Sequence, residues 1–120
     1  MMDNRQEQIE ALEVLKEFNE RLLKNIPILV KELRGERLDD TDAFQKGVID
    51  AMNWEIQVVN GTTEVLNENE ERINKEWFNS KIVALAHAIE QKEDEAIAQA
   101  LEDVIPCFTK LGEAAKIVTE

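Results

Sequence analysis

The sequence predicts an all-α protein, an antiparallel four-helix bundle whose first and fourth helices are kinked at proline. Three observations predict it. Apolar residues recur in steps of three and four along most of the chain. Two prolines, four glycines and no tyrosine are too few turn and strand formers for a sheet. Short polar stretches cut the apolar pattern into four segments, and short connections place neighbouring helices antiparallel. At 120 residues the chain fits one domain, 1–120. A domain of this size hides roughly two-thirds of its unfolded surface, enough for one continuous core.

The first helix starts at Asp3 or Asn4, either of which can cap it. Its stripe is Ile9, Leu12, Leu15, Phe18, Leu22, Ile26, Leu29 and Leu33, and Gly35 stops it. Pro27 removes one backbone donor and crowds the Leu23 carbonyl. The stripe continues in phase beyond it, which predicts a kink and not a break. Asp40, Thr41 and Asp42 open the second helix. One row holds Val48, Met52, Ile56, Val59 and Leu66, and a second holds Gly47, Ala51, Trp54, Val58, Gly61 and Val65. Two adjacent rows make a face wide enough for two neighbours. Each helical glycine costs about 1 kcal/mol against alanine, which predicts close backbone approach or room beside the Trp54 ring.

Residues 67–71, Asn-Glu-Asn-Glu-Glu, mark the next turn. A continuous helix over 42–91 is the alternative. It would be about 75 Å long, more than any other segment could cover. The third helix carries Ile73, Trp77, Phe78, Ile82, Leu85, Ala86 and Ile89, and residues 91–94 turn the chain. The fourth carries Ala96, Ile97, Ala100, Leu101, Val104, Ile105, Phe108, Leu111 and Ala115, with Pro106 inside the pattern.

The net charge of -12 repels phosphate backbones and anionic membrane surfaces, so neither nucleic acid nor membrane is an expected partner. No apolar run reaches the length of a membrane span. The polar start, Met1 to Gln8, does not read as a signal peptide. The single cysteine, Cys107, allows no intramolecular disulfide and sits among apolar residues as a buried, inert thiol. Together these features predict a cytoplasmic protein.

Catalytic chemistry finds little to build on. His87 is the only histidine and Ala84 precedes it by three, so the paired Glu-x-x-His sets of a di-iron bundle cannot form. A partly buried or rim position is expected for it, with no metal and no cofactor. The glycines are isolated, so no phosphate loop occurs. Ser80 and His87 form no triad. Carboxylates at Glu10 and Glu13, Glu17 and Glu20, Glu68 and Glu71, and Glu90 and Glu93 have the helical spacing of Mg²⁺-holding pairs. With 26 acids in the chain such pairs also arise on any solvated face.

Phe44-x-x-Gly47-Val48-x-x-Ala51-Met52-x-Trp54 resembles the second helix of a group of small helical proteins from Firmicutes. Ala88-Ile89-Glu90-x-Lys92-Glu93-Asp94, then Ala98-x-x-Leu101-Glu102-x-x-Ile105-Pro106, is similar to that group's last hairpin. The chain departs at Ala98-Gln99, where the group has Ala-Asp, and lacks its turn tyrosine. The resemblance spans residues 20–112. It implies a bundle, no known activity and, from flagellar gene association of some members, an accessory or chaperone-like role.

A non-enzymatic interaction module is therefore expected, binding a partner helix, or its own copy, through an apolar groove rimmed with carboxylates. The contact candidates are Met52, Trp54, Val58, Trp77 and Phe78, because tryptophan and its apolar neighbours are frequent interface anchors. A Mg²⁺-dependent nucleotide hydrolase and a purely structural homodimer are the alternatives.

Overall fold

A computed structural model describes residues 4–120, so the cap expected at Asp3 lies outside the described residues. Four helices follow in order: α1 (Asn4–Leu33), α2 (Thr41–Leu66), α3 (Lys75–Gln91) and α4 (Asp94–Thr119). No strand occurs among the described residues. α1 and α4 form the central pair. α2 packs on α1, α3 packs on α4, and α2 meets α4 only lightly. α2 and α3 make no close backbone approach to each other. The molecule measures 51 × 24 × 20 Å, and the 30-residue α1 accounts for most of its long axis.

Cross-helix bonds between α1 and α2 descend along α2 as they ascend along α1. Arg5 meets Glu68, Gln8 meets the Val65 amide, Asn19 meets Glu55, and Glu32 meets Thr41. Pro27 and Pro106 lie inside unbroken helices, with their rings exposed.

Each connection is set by local chemistry. Leaving α1, Gly35 adopts φ 111°, a left-handed conformation that side chains disfavour. The Glu36 amide still reaches the Glu32 carbonyl across it. Two arginines then tie this loop to the start of α4: Arg34 to Glu95 and Glu102, and Arg37 to Asp94 and Asp42. The Arg37 guanidinium holds the Asp94 carboxyl below its usual range. Thr41 is buried at the start of α2, where its hydroxyl accepts from the Leu38 amide and donates to Glu32.

The segment after α2 turns because Asn67 clamps it. Its side-chain oxygen accepts from the Arg72 and Ile73 amides, and its amide donates to the Ile73 carbonyl. Arg72 reaches back to the carbonyls of Leu66 and Glu68, satisfying the exposed end of α2. Helices α2 and α3 are thus separate. Ile73, expected within the third helix, is a buried loop residue ahead of the Asn74 cap. Asn74 caps α3 by accepting from the Trp77 amide. A left-handed Lys92 ends α3, its amide bonded to the Ile89 carbonyl.

All four helices feed one apolar core. α4 buries residues on both of its flanks, Ile97 and Ala98, Ala100 and Leu101, Cys107 and Phe108, because it serves α1 on one side and α3 on the other. Phe78 of α3 meets Phe108 edge-on, with ring centroids 5.2 Å apart. The wide apolar face of α4 is therefore core. On α2, Val48, Met52, Val59, Val65 and Leu66 are core, whereas Trp54 of the second row reaches solvent. Among the described residues, no helix is long and apolar enough to cross a membrane.

Candidate partner-docking face

Along the outer seam between α1 and α2, Gly47, Trp54 and Gly61 of the second apolar row are exposed, Ala51 and Val58 are half-buried, and Val65 belongs to the core. At the middle of the seam, Phe18 of α1 and Trp54 of α2 lie with ring centroids 5.0 Å apart and planes tilted by 55°. Both rings reach solvent, Phe18 at 43% exposure and Trp54 at 37%. The Arg21 guanidinium sits 5.3 Å from the Phe18 ring centre, a cation over an aromatic face. A shallow hollow opens on either side of this aromatic rung. One is lined by Glu7, Ala11, Trp54, Val58 and Gly61. The other is lined by Phe18, Phe44, Gly47 and Ala51, with Arg21 at its edge.

The glycines of the seam do not provide the close approach expected of them. A Cβ added at Gly47 or Gly61 would meet nothing within 4 Å, so these residues leave bare backbone on the open face. Close approach occurs at Gly112 instead. A Cβ there would lie 2.4 Å from the side-chain oxygen of Asn19, so α1 and α4 touch at this level. Gly112→Ala is therefore expected to lower the unfolding free energy by about 1–2 kcal/mol in urea denaturation, because Asn19 must move from its partners.

Behind the aromatic rung lies a buried polar node. Asn19 and Glu55 are each one residue on from Phe18 and Trp54, so they point inward at the same level. The Asn19 amide donates to Glu55 Oε1 at 3.0 Å and to the Phe108 carbonyl of α4 at 3.0 Å. Glu55 is 0% exposed, and its Oε2 has no hydrogen-bond partner. Burial pushes its carboxyl up to about 7, against the opposing effect of the Asn19 bond.

The five candidate contacts do not form one surface. Trp54 and Val58 share the first hollow. Met52 and Phe78 are core residues at 1% and 2% exposure, because the inward row of α2 and the α3–α4 contact claim them. Trp77 is half-buried on α3, away from α2. Phe18, expected in the core, is the missed surface residue, because Asn19 occupies the inward slot between Leu15 and Leu22. Neither Asn19 nor Glu55 was marked by an apolar pattern. Their signal was positional: both lie three or four residues from buried neighbours on each side.

The remaining reactive side chains lie elsewhere. His87 is exposed on α3 and not at a rim of the core. Cys107 is fully buried, and burial pushes its thiol up, which suits packing. The spaced glutamate pairs are not joined by further ligands: no group of three or more His, Cys, Asp or Glu residues placed to hold a metal occurs among the described residues.

No curated protein and no solved structure matches this chain. A family model does, from residue 10 in α1 to residue 114 in α4, which includes the aromatic rung and the polar node. The chain accordingly belongs to the family described as a domain of unknown function, DUF8042.

Proposed function

We propose that this protein is a non-enzymatic interaction module that docks a partner helix along the outer α1–α2 seam. One observation carries the reading: the middle of the second apolar row of α2 reaches solvent at Trp54, beside the exposed Phe18 ring of α1. Phe18 and Trp54 provide paired, half-exposed rings at the centre of that row, and aromatic residues of this kind dominate binding energy where they become desolvated. Bare backbone at Gly47 and Gly61 lets a partner helix approach closely on either side. The descending order of the α1–α2 bonds supports an antiparallel pair, whose seam runs along both helices. Bends at the two internal prolines would leave this seam intact, since neither proline lines it. An accessory or chaperone-like role fits such a face.

The test is capture of partners by the tagged protein from its native lysate, compared with Trp54→Ala and Phe18→Ser. A stoichiometric protein held by the wild type and reduced at least about tenfold by each variant is expected, the usual effect of losing an anchor worth more than 1.4 kcal/mol. Identical recovery by all three proteins would remove the seam from consideration. Recovery of the chain's own copies alone, lost in the variants, would replace the partner by a homodimer.

A further inference from the structure

Two side-chain pairs bridge α1 and α2 at one level. Phe18 and Trp54 pair on the outside, and Asn19 and Glu55 pair on the inside. The inner pair is fully committed. Asn19 has two amide hydrogens, and Glu55 and the Phe108 carbonyl take them. Its oxygen rests against Gly112, so the side chain has no room to shift toward α4. Asn19 therefore has nothing further to offer Glu55, whose Oε2 remains without a donor.

The surroundings of Glu55 contain no compensating charge. From α1 it is met by the Asn19 amide, and from α4 the same amide is met by the Phe108 carbonyl. No lysine, arginine, histidine or second carboxylate of α1, α2 or α4 perturbs it among the described residues. α3 does not approach α2. A neutral carboxyl costs little in such a place, whereas a carboxylate with one neutral hydrogen bond costs far more.

We propose that the Asn19–Glu55 pair is a proton-operated latch: neutral Glu55 holds α2 against the α1–α4 pair, and ionised Glu55 releases α2 and parts the Phe18–Trp54 rung. α2 is the element that responds, since it carries Glu55 and is tied to the central pair mainly through α1, meeting α4 only lightly. Burial pushes the closed carboxyl up to about 7, so opening becomes progressively easier as pH rises from the ordinary carboxylate range to neutrality. The latch stands whether or not the outer seam carries a partner.

Amide hydrogen exchange tests it at about pH 6 and about pH 8.5, corrected for the intrinsic rate. With the closed carboxyl near 7 and the open one near 4.5, opening of α2 around Glu55 is expected to rise about tenfold between these values. Glu55→Gln is expected to rise less than about twofold. A wild-type rise below about threefold, or an equal rise in the Gln variant, overturns the latch. So does an equal rise throughout α3 and α4, which would mark global unfolding. If the Gln variant does not fold, the wild type still decides. The Glu55 side-chain carbon followed by NMR is expected to titrate above about pH 5.5, and a lower midpoint overturns the proposal.

Discussion

The unfolding free energy is expected to fall by about 3 kcal/mol between about pH 4.5 and pH 7 through Glu55 alone, and Glu55→Gln is expected to abolish that slope. The sign follows from proton binding. In the unfolded chain this carboxyl returns to its ordinary value of 4.5, whereas in the fold it stands at about 7. Below the lower value both states hold the proton, and Glu55 makes no contribution to pH dependence. Between the two values the unfolded chain releases the proton and the fold retains it, so stability declines as pH rises. Above the higher value both states are ionised and the loss is complete.

Other carboxylates act in a separate window. Asp94 and Glu68 are held below their usual range by Arg37 and Arg5. Their contribution is present above the ordinary carboxylate range and is lost as pH falls through it. These pairs are exposed, so their effect is small. Urea denaturation across pH should therefore show a modest loss on the acid side and a larger one toward neutrality. Only the larger loss should disappear in Glu55→Gln. A wild-type stability that stays level between about pH 5 and pH 8 would show that Glu55 ionises without cost in the fold.

How far the sequence foretells this arrangement depends on which residues fill the repeating slots. Leu12, Leu15, Leu22, Ile26, Leu29 and Leu33 are read correctly because each inward slot of α1 holds an apolar residue, with one exception. At the exception the chain offers Phe18 beside Asn19, and hydrophobicity alone selects the phenylalanine. The fold selects Asn19, whose position continues the inward row from Leu15 to Leu22. The same choice arises between Glu55 and Ile56 on α2, where the charged residue is buried and the isoleucine lies at its edge. Two polar residues facing each other compensate one another, and a single-helix pattern cannot register a partner on a different helix. The turn after α2 was legible from its acidic composition. The clamp by Asn67 and Arg72 was not, because it depends on backbone groups brought together only by the turn itself. The exposed α1–α2 seam was half legible. Two apolar rows on α2 signalled a wide face, but which row would remain open depended on α3 packing against α4 and not against α2.

Asn19→Ala should lower the unfolding free energy by about 3 kcal/mol, whereas Asn19→Leu combined with Glu55→Met should recover most of that loss. The single change removes both donors, leaving the Glu55 oxygens and one bond of the Phe108 carbonyl unmet in a site with 0% exposure at Glu55. It also opens a void against Gly112, where the Asn19 side chain now fits against bare backbone. The double change removes the polar demand together with its supply, and leucine and methionine fill similar volumes with apolar atoms. Asn19→Leu and Glu55→Met made singly complete a double-mutant cycle in urea. A coupling energy near zero would mean that the two side chains stabilise the fold independently, and a double variant as weak as the sum of the singles would say the same. Strong coupling with a stable double variant would show that the fold tolerates the pair at no gain in stability. The pH dependence of α2 then measures what the pair does when Glu55 changes charge.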